Sequence, residues 1–348
     1  MPRARYAGIV LWRLSLGLVA ASAPSWSNGK ELDRSQLGAA VQSVVKVEAI
    51  AADGSISLGS AVSLGDGVFV TNCHATNRAS RIDVLYTGRR WAVSGEAADP
   101  QHDLCAIQAP KLTDVPRVTV LSSRALMRGD AVAALGFSLG AGLSATPGEI
   151  KALHPLDGAQ VIQVSAPFNS GASGGGLFDN NGNLIGILTF RLPNSDGYYF
   201  AMPADWILSL PQTSSFEPVG PLSGPPPFWA HRERELPYFM QAATLEARRD
   251  WQSLINLTEH WASAETDNAE PWLMRGNAYG WLDRNPAAAR AYLEAVKREP
   301  ASASSWYRLG EAYLLSRDHT GVIDVYETLT RLDPELADTL AVRAGLPR

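Results

Sequence analysis

Gly171-Ala172-Ser173-Gly174-Gly175-Gly176 sets one serine at the centre of a glycine-rich turn, just ahead of an apolar run at 184–190. Glycines allow backbone conformations that a side chain forbids. Several peptide N–H groups can then converge on one spot while the Ser173 hydroxyl stays uncovered. A nucleophilic serine needs such a turn, because its attack creates an oxyanion that backbone donors must hold. Upstream, residues 68–74 read as an apolar strand ending at His74, and residues 99–107 as a turn that enters a second strand through Asp103. His74, Asp103, Ser173 is one of the chain orders in which a Ser-His-Asp triad occurs. Each residue has a plain alternative: a loop serine, a satisfied strand-end histidine, a turn aspartate after Asp99-Pro100. All three at element boundaries, in this order, favour the chemistry over the alternatives.

The elements that must position them follow from periodicity. Short β-type runs occur at 41–49, 60–64, 68–71, 81–86, 92–96, 104–108, 131–135, 148–152, 160–165, 184–190 and 198–201, punctuated by Gly, Asn, Asp and Pro. This spacing predicts two antiparallel barrels with the three residues in the cleft between them. Residues 205–210 read as a short closing helix. Residues 211–234 include Gly224-Pro225-Pro226-Pro227. So many prolines remove backbone donors and fix φ, which predicts a semi-extended linker. Beyond residue 235 the period is helical and repeats. Trp272, Gly276, Tyr279, Tyr292 and Pro300 recur as Trp306, Gly310, Tyr313, Tyr326 and Pro334, each 34 residues on. Two antiparallel helices per repeat account for this, with the glycines where helices approach and the prolines ending second helices. One period before Trp272 lies Tyr238, and Leu254 and Trp261 fall on the inward positions of Ala288 and Ala295. Residues 235–268 then form a divergent first repeat of three, and 334–344 a capping helix.

The first half resembles the trypsin-like serine proteases of the bacterial HtrA/Deg type. That family carries Thr-Asn-x-His-Val, Asp-Pro-x-x-Asp-Leu/Ile-Ala and Gly-Asn-Ser-Gly-Gly-Pro. Here stand Thr71-Asn72-Cys73-His74-Ala75, Asp99-Pro100-Gln101-His102-Asp103-Leu104-Cys105 and Gly171-Ala172-Ser173-Gly174-Gly175-Gly176. Leu135-Gly136-Phe137-Ser138-Leu139-Gly140, Thr146-Pro147-Gly148-Glu149-Ile150 and Tyr199-Phe200-Ala201-Met202-Pro203 echo three further family segments. Ala172, Gly176 and Cys105 depart from the pattern at positions that supply no catalytic side chain. The family's PDZ module is not evident after residue 210, so its substrate-sensing mechanism does not carry over.

The resemblance covers roughly residues 37–210. It implies a chymotrypsin-like double six-stranded-type barrel, with Ser173 as nucleophile, His74 as base, Asp103 as orienting acid, and the N–H groups of Gly171 and Ser173 as the oxyanion hole. It places the base of the specificity pocket at Pro167 beside Phe168, with no carboxylate near. An unpaired cation in a pocket is costly, so a small or medium apolar residue before the scissile bond is expected rather than Lys or Arg. Thr189, Phe190 and Arg191 are expected along the strand that pairs with substrate; alternatively Arg191 narrows the cleft. The 34-residue period resembles the tetratricopeptide repeat. This implies an all-α solenoid whose groove takes a protein partner, with Asn277, Tyr307 and Glu311 facing it or standing as solvated surface residues; a helical pack that only stabilises the protease or makes it dimeric is the alternative.

At 348 residues and 46% hydrophobic, the chain is ample for two folded units. Residues 1–27 read as an export signal: Arg3, Arg5 and Arg13, then a short apolar run ending at Ala21-Ser22-Ala23. This predicts a periplasmic or secreted protein, or one anchored to a membrane if the segment stays uncleaved. The net charge is −5, and removing residues 1–23 takes away three arginines and no acid, leaving −8. With no basic run, nucleic acid is not an expected partner; protein or peptide substrates are. Cys73 and Cys105 flank the candidate base and acid. If His74 and Asp103 meet, the two cysteines are neighbours, and a disulfide suits an exported protein; two small buried thiols are the alternative. No cofactor and no metal site is expected.

Overall fold

The computed structural model describes residues 37–138, 142–192, 198–213 and 215–346; the expected export signal lies outside them. A short helix, α1 (Leu37–Ser43), leads into seven strands: β1 (Val44–Ala51), β2 (Ile56–Gly65), β3 (Val68–Thr71), β4 (Ala79–Tyr86), β5 (Arg89–Ala92), β6 (Gly95–Asp99) and β7 (Leu104–Gln108). They form one antiparallel sheet in the order β5-β4-β1-β2-β3-β7-β6. Six more strands follow: β8 (Ala131–Gly136), β9 (Ser144–Leu156), β10 (Ala159–Val164), β11 (Gly176–Asp179), β12 (Leu184–Arg191) and β13 (Tyr199–Pro203). These close into a barrel in the order β10-β13-β12-β11-β8-β9.

The expectation of two six-stranded barrels is met by the second unit alone. The first is a half-barrel, because the chain changes sides within the run expected at 92–96. Val93 N–H donates to the Ile82 carbonyl and Ser94 N–H to the Gln108 carbonyl, both close to 3 Å (2.9 and 2.8 Å). The two bonds extend the β5–β4 and β6–β7 pairings, and no β5–β6 ladder closes the sheet. The open edge of β6 is used instead by the proline-rich segment, where Glu217 exchanges two backbone bonds with Glu96 at 2.8 and 2.9 Å. Such pairing covers a row of backbone groups that an edge strand otherwise leaves open.

Helix α3 (Ala204–Thr213) leaves the closed barrel, and residues 215–237 lead to seven helices: α4 (Tyr238–Ala247), α5 (Trp251–Ala264), α6 (Glu270–Trp281), α7 (Asn285–Arg298), α8 (Ala303–Leu315), α9 (His319–Leu332) and α10 (Pro334–Ala344). Each packs on the next in chain order. The 34-residue period appears in the backbone itself. Arg249, Asp283 and Arg317, each two residues before a helix start, all take left-handed φ, at 57°, 55° and 60°. The next residues, Asp250, Arg284 and Asp318, each donate to the carbonyl five back, at 2.9 Å. Repeated turn geometry of this kind sets the two helices of each pair against one another in the same way. A Cβ on Gly276 would lie 2.5 Å from the Tyr292 ring, and one on Gly310 2.7 Å from Leu340, so glycine is needed at both close approaches. Leu254, Trp261, Ala288 and Ala295 are all buried.

The helices are packed onto the barrel. A single apolar cluster runs from Phe200 and Trp206 through Phe228 and Phe239 to Trp261 and Met274. Phe239 of α4 stacks on His154 of β9, with centroids 4.2 Å apart and planes 9° from parallel. Arg128 pairs with Glu270, and its Nε lies 3.9 Å from Glu299. Burial of His154 beneath the phenyl ring pulls its pKa down.

Cys73 and Cys105 form a disulfide, with Cα atoms 5.0 Å apart. It ties the residue after Asn72 to β7. The bond closes a loop of separation 32, which constrains the unfolded chain by roughly 3–4 kcal/mol in the chain-entropy account. Reduction, or the Cys73→Ala/Cys105→Ala double substitution, is expected to lower the unfolding free energy by about 2–4 kcal/mol in urea titrations. An unchanged midpoint in reductant would show that the bond does not hold these segments.

Candidate active site

His74 is the second residue of α2 (Cys73–Thr76), a single turn that follows β3 directly. Asp103 opens β7 from a tight turn and takes φ 59°, a left-handed value that Asp tolerates better than most residues. That conformation swings its carboxylate back over α2. Oδ1 accepts the His74 backbone N–H at 2.7 Å, and Oδ2 pairs with His74 Nδ1 at 2.6 Å. The Asp103 side chain is 1% exposed and the imidazole 30%. One buried carboxylate thus fixes both the main chain and the ring of His74. With a proton held on Nδ1, Nε2 is left as an acceptor.

Two neighbours lock this pair. Asn72, fully buried, donates from Nδ2 to the Asp103 carbonyl at 2.9 Å and to Thr189 Oγ1 at 3.0 Å. Thr189 Oγ1 donates onward to the Ile187 carbonyl at 2.8 Å. The half-barrel is thereby joined to β12 of the closed barrel directly behind the pair.

The serine turn enters from the other side. Gly171 and Gly174 take φ 92° and 84°. A Cβ on Gly174 would stand 2.1 Å from the Ser60 carbonyl oxygen, so only glycine permits this approach. Ser60 of β2 clasps the turn at both ends. Its Oγ donates to the Gly171 carbonyl at 2.8 Å and accepts from Phe137 N–H at 2.9 Å, and its N–H donates to the Ser173 carbonyl at 2.8 Å. The Ser173 hydroxyl donates to the Thr189 carbonyl at 3.3 Å; among the described residues it makes no hydrogen bond to His74. Among the described residues the N–H groups of Gly171 and Ser173 have no hydrogen-bond acceptor. The role of Ser60 has no signal in the sequence, because its partners lie up to 111 residues away.

Of the expected pocket residues, Pro167 and Arg191 are exposed, while Phe168, Thr189 and Phe190 are buried. The Phe168 ring lies 5.3 Å from that of Tyr199. Thr189 turns its side chain inward to Asn72, so its carbonyl, not its hydroxyl, faces Ser173. Phe190 stacks on Phe200 at 4.8 Å and on Trp229 at 5.2 Å. Beside the pair, His102 bridges two carboxylates, with Nδ1 2.6 Å from Asp99 and Nε2 3.1 Å from Asp157. Burial pulls its pKa down, but Asp99 and Asp157 outweigh that and leave it raised. Among the described residues no cluster of three or more His, Cys, Asp or Glu is placed to hold a metal ion, and no helix is long and apolar enough to cross a membrane.

Residues 59–187 match the family described as Trypsin-like peptidase domain. The chain is 33% identical over 160 residues to the periplasmic pH-dependent serine endoprotease DegQ of Escherichia coli, covering 43% of this chain and 35% of that one. It is 37% identical over 150 residues to a probable periplasmic serine endoprotease, DegP-like, of Chlamydia trachomatis, covering 40% and 30%. The chain thus spans about a third of the length of the curated relatives it matches. Among solved structures, the HtrA-type protease AlgW with tripeptide aligns over 51% of this chain and 62% of its own, at 32% identity and a TM-score of 0.48. Residues 59–187 therefore carry a trypsin-like peptidase domain, with homologues among the DegQ and DegP-like endoproteases.

Two outcomes test the geometry. A histidine raised in the folded state stabilises it below the unfolded pKa, about 6.5, and that contribution fades as pH rises through the folded value. The melting-temperature deficit of His102→Gln is therefore expected to be larger at pH 5.5 than at pH 8.5; a constant deficit would contradict the bridge. Ser60→Ala removes the side-chain clasp on Gly171 and is expected to lower the unfolding free energy by about 1–3 kcal/mol in urea titrations, the scale for an orphaned buried acceptor, with the backbone bond to Ser173 kept; an unchanged midpoint would contradict the clasp.

Proposed function

We propose that this chain is an exported serine endopeptidase that hydrolyses peptide bonds in protein or peptide substrates through Ser173, His74 and Asp103. The observation that carries the reading is the buried Asp103 carboxylate held on both the main chain and Nδ1 of His74, together with a serine turn whose Gly171 and Ser173 N–H groups have no acceptor among the described residues. Ser173 Oγ attacks the carbonyl carbon and His74 Nε2 takes its proton. The oxyanion forms against the N–H groups of Gly171 and Ser173, where each donor contributes about 2.7–4 kcal/mol to the transition state. His74 then delivers the proton to the leaving amine, and water repeats the sequence on the acyl-enzyme. Asp103 keeps the imidazole in the tautomer this needs and stabilises the imidazolium.

Pro167 and Phe168 supply an apolar pocket wall with no carboxylate, which suits a small or medium apolar residue before the scissile bond. Thr189, Phe190 and Arg191 supply the strand that pairs with substrate. Residues 37–210 form the peptidase domain, 211–234 the connecting segment and 235–348 a tetratricopeptide-repeat domain of three repeats and a capping helix. The recurrence of left-handed turns at Arg249, Asp283 and Arg317 supports that repeat assignment. Its groove recruits a substrate or partner protein. Export through residues 1–27 accords with the periplasmic relatives and with the disulfide.

A second reading, a latent protease or an inactive peptidase-like scaffold, is favoured by one observation: the Ser173 hydroxyl points to the Thr189 carbonyl and not to His74. A fluorophosphonate probe separates them. The wild type is expected to label at Ser173 and to hydrolyse casein, and Ser173→Ala to do neither, with kcat lower by at least about 10⁴-fold. Absence of labelling, with or without partner peptides for the repeats, would establish the scaffold. A peptide-library profile dominated by Lys or Arg before the cleaved bond would overturn the pocket assignment.

A further inference from the structure

The proline-rich segment does not hang free between the two halves. After Glu217 has paired with Glu96, Leu222 N–H donates to the carbonyl of Asn77, the residue that ends the His74 helix, at 2.9 Å. Phe228 N–H then donates to the Gln101 carbonyl, in the turn before Asp103, at 3.1 Å. Phe228 is 8% exposed and sets its ring edge-on to Phe190 and Trp206, each at 6.4 Å. These anchors fix the next side chain, Trp229. Its indole meets the His74 ring edge-on at 5.6 Å and 88°, and stacks on Phe190 at 5.2 Å and 23°. Its Nε1 is buried and has no hydrogen-bond partner among the described residues. A tryptophan from outside the matched peptidase residues 59–187 thus fills the angle between the imidazole and the strand that follows Thr189.

That angle matters for a bound peptide. Side chains of an extended chain alternate between two faces. If the residue before the scissile bond points toward Phe168, the residue before that points the opposite way, toward His74 and Phe190. Trp229 already occupies that space.

We propose that Trp229 is a specificity-determining residue: it walls the subsite for the second residue before the scissile bond and restricts it to Gly, Ala or Ser. This rests on the protease reading of the site. A Leu or Phe side chain there would have to displace an indole held by Phe190, and close-packed sites reject added volume. Discrimination by volume in an apolar pocket is on the order of 10-fold to 200-fold.

The test uses the full chain and matched quenched fluorescent peptides, drawn from sequences the wild type cleaves, that differ only in Ala or Leu at that position. The wild type is expected to prefer Ala over Leu in kcat/KM by about 10-fold or more. Trp229→Ala is expected to bring the ratio near one by raising turnover of the Leu peptide, and Trp229→Phe to fall between. A cooperative unfolding transition and Ser173-dependent fluorophosphonate labelling show that each variant is folded and competent, and because the readout is the Ala-to-Leu ratio within one variant, a change in its overall rate does not enter. Ser173-dependent hydrolysis with the same ratio in wild type and Trp229→Ala overturns the inference alone, as does a wild-type preference for Leu. Absence of Ser173-dependent hydrolysis in every form overturns the protease reading and this inference with it.

Discussion

A carboxylate that is 1% exposed and bonded twice to one histidine is the constraint around which the rest is arranged. Burying a charge is costly unless it is paired and hydrogen-bonded. Asp103 meets that cost with the His74 main chain and ring together. The left-handed turn at Asp103, the one-turn helix at His74, the Cys73–Cys105 bond and the Asn72 side chain all serve to bring those two groups to that geometry. Each of these features lies within three residues of the pair in sequence, so the first half of the site is a local structure stiffened by one crosslink.

The serine is held differently. Its turn belongs to the closed barrel, yet both of its ends are fastened by Ser60 of the half-barrel. Asn72 makes the reciprocal connection, from the half-barrel to Thr189 of β12. The cleft is therefore not a gap between two bodies that meet by chance. It is bounded by two buried polar links, each from one unit to the other, in surroundings where an unpaired partner is expensive. The proline-rich segment adds a third link, along the open edge of β6 and across to Phe190, and continues the same apolar cluster into the helices.

The sequence was informative where the signal was short-range. His74, Asp103 and Ser173 stood at element boundaries; the structure bonds Asp103 to His74, and the cysteine neighbours of those two are joined. The 34-residue repeat was legible from Trp272 and Trp306, and the turn backbones carry it into the divergent stretch around Arg249. Long-range organisation was not legible. Residues 41–43 fall in a helix, since alternation is weak there, and β11 went unseen because Gly176 breaks the apolar run that a strand signal needs. Closure of the first sheet depended on where Val93 and Ser94 find acceptors, at Ile82 and Gln108, and no local pattern encodes that. Proline content spoke against regular structure at 211–234, yet the chain stays helical through Thr213 and makes two 3₁₀ turns, Phe228–Ala230 and Glu233–Glu235. That content said nothing of whether the segment would be free or pinned, because its bonds are made to Glu96, Asn77 and Gln101, far away in the chain.

The rate at which a fluorophosphonate reacts with Ser173 in the Asp103→Asn protein tests most directly whether Asp103 acts through His74. The amide preserves shape but favours the wrong imidazole tautomer, so the second-order rate constant is expected to fall by about 10³–10⁴-fold, with the fold and disulfide intact. A rate within tenfold of the wild type would show that the buried carboxylate does not set the chemistry of this cleft.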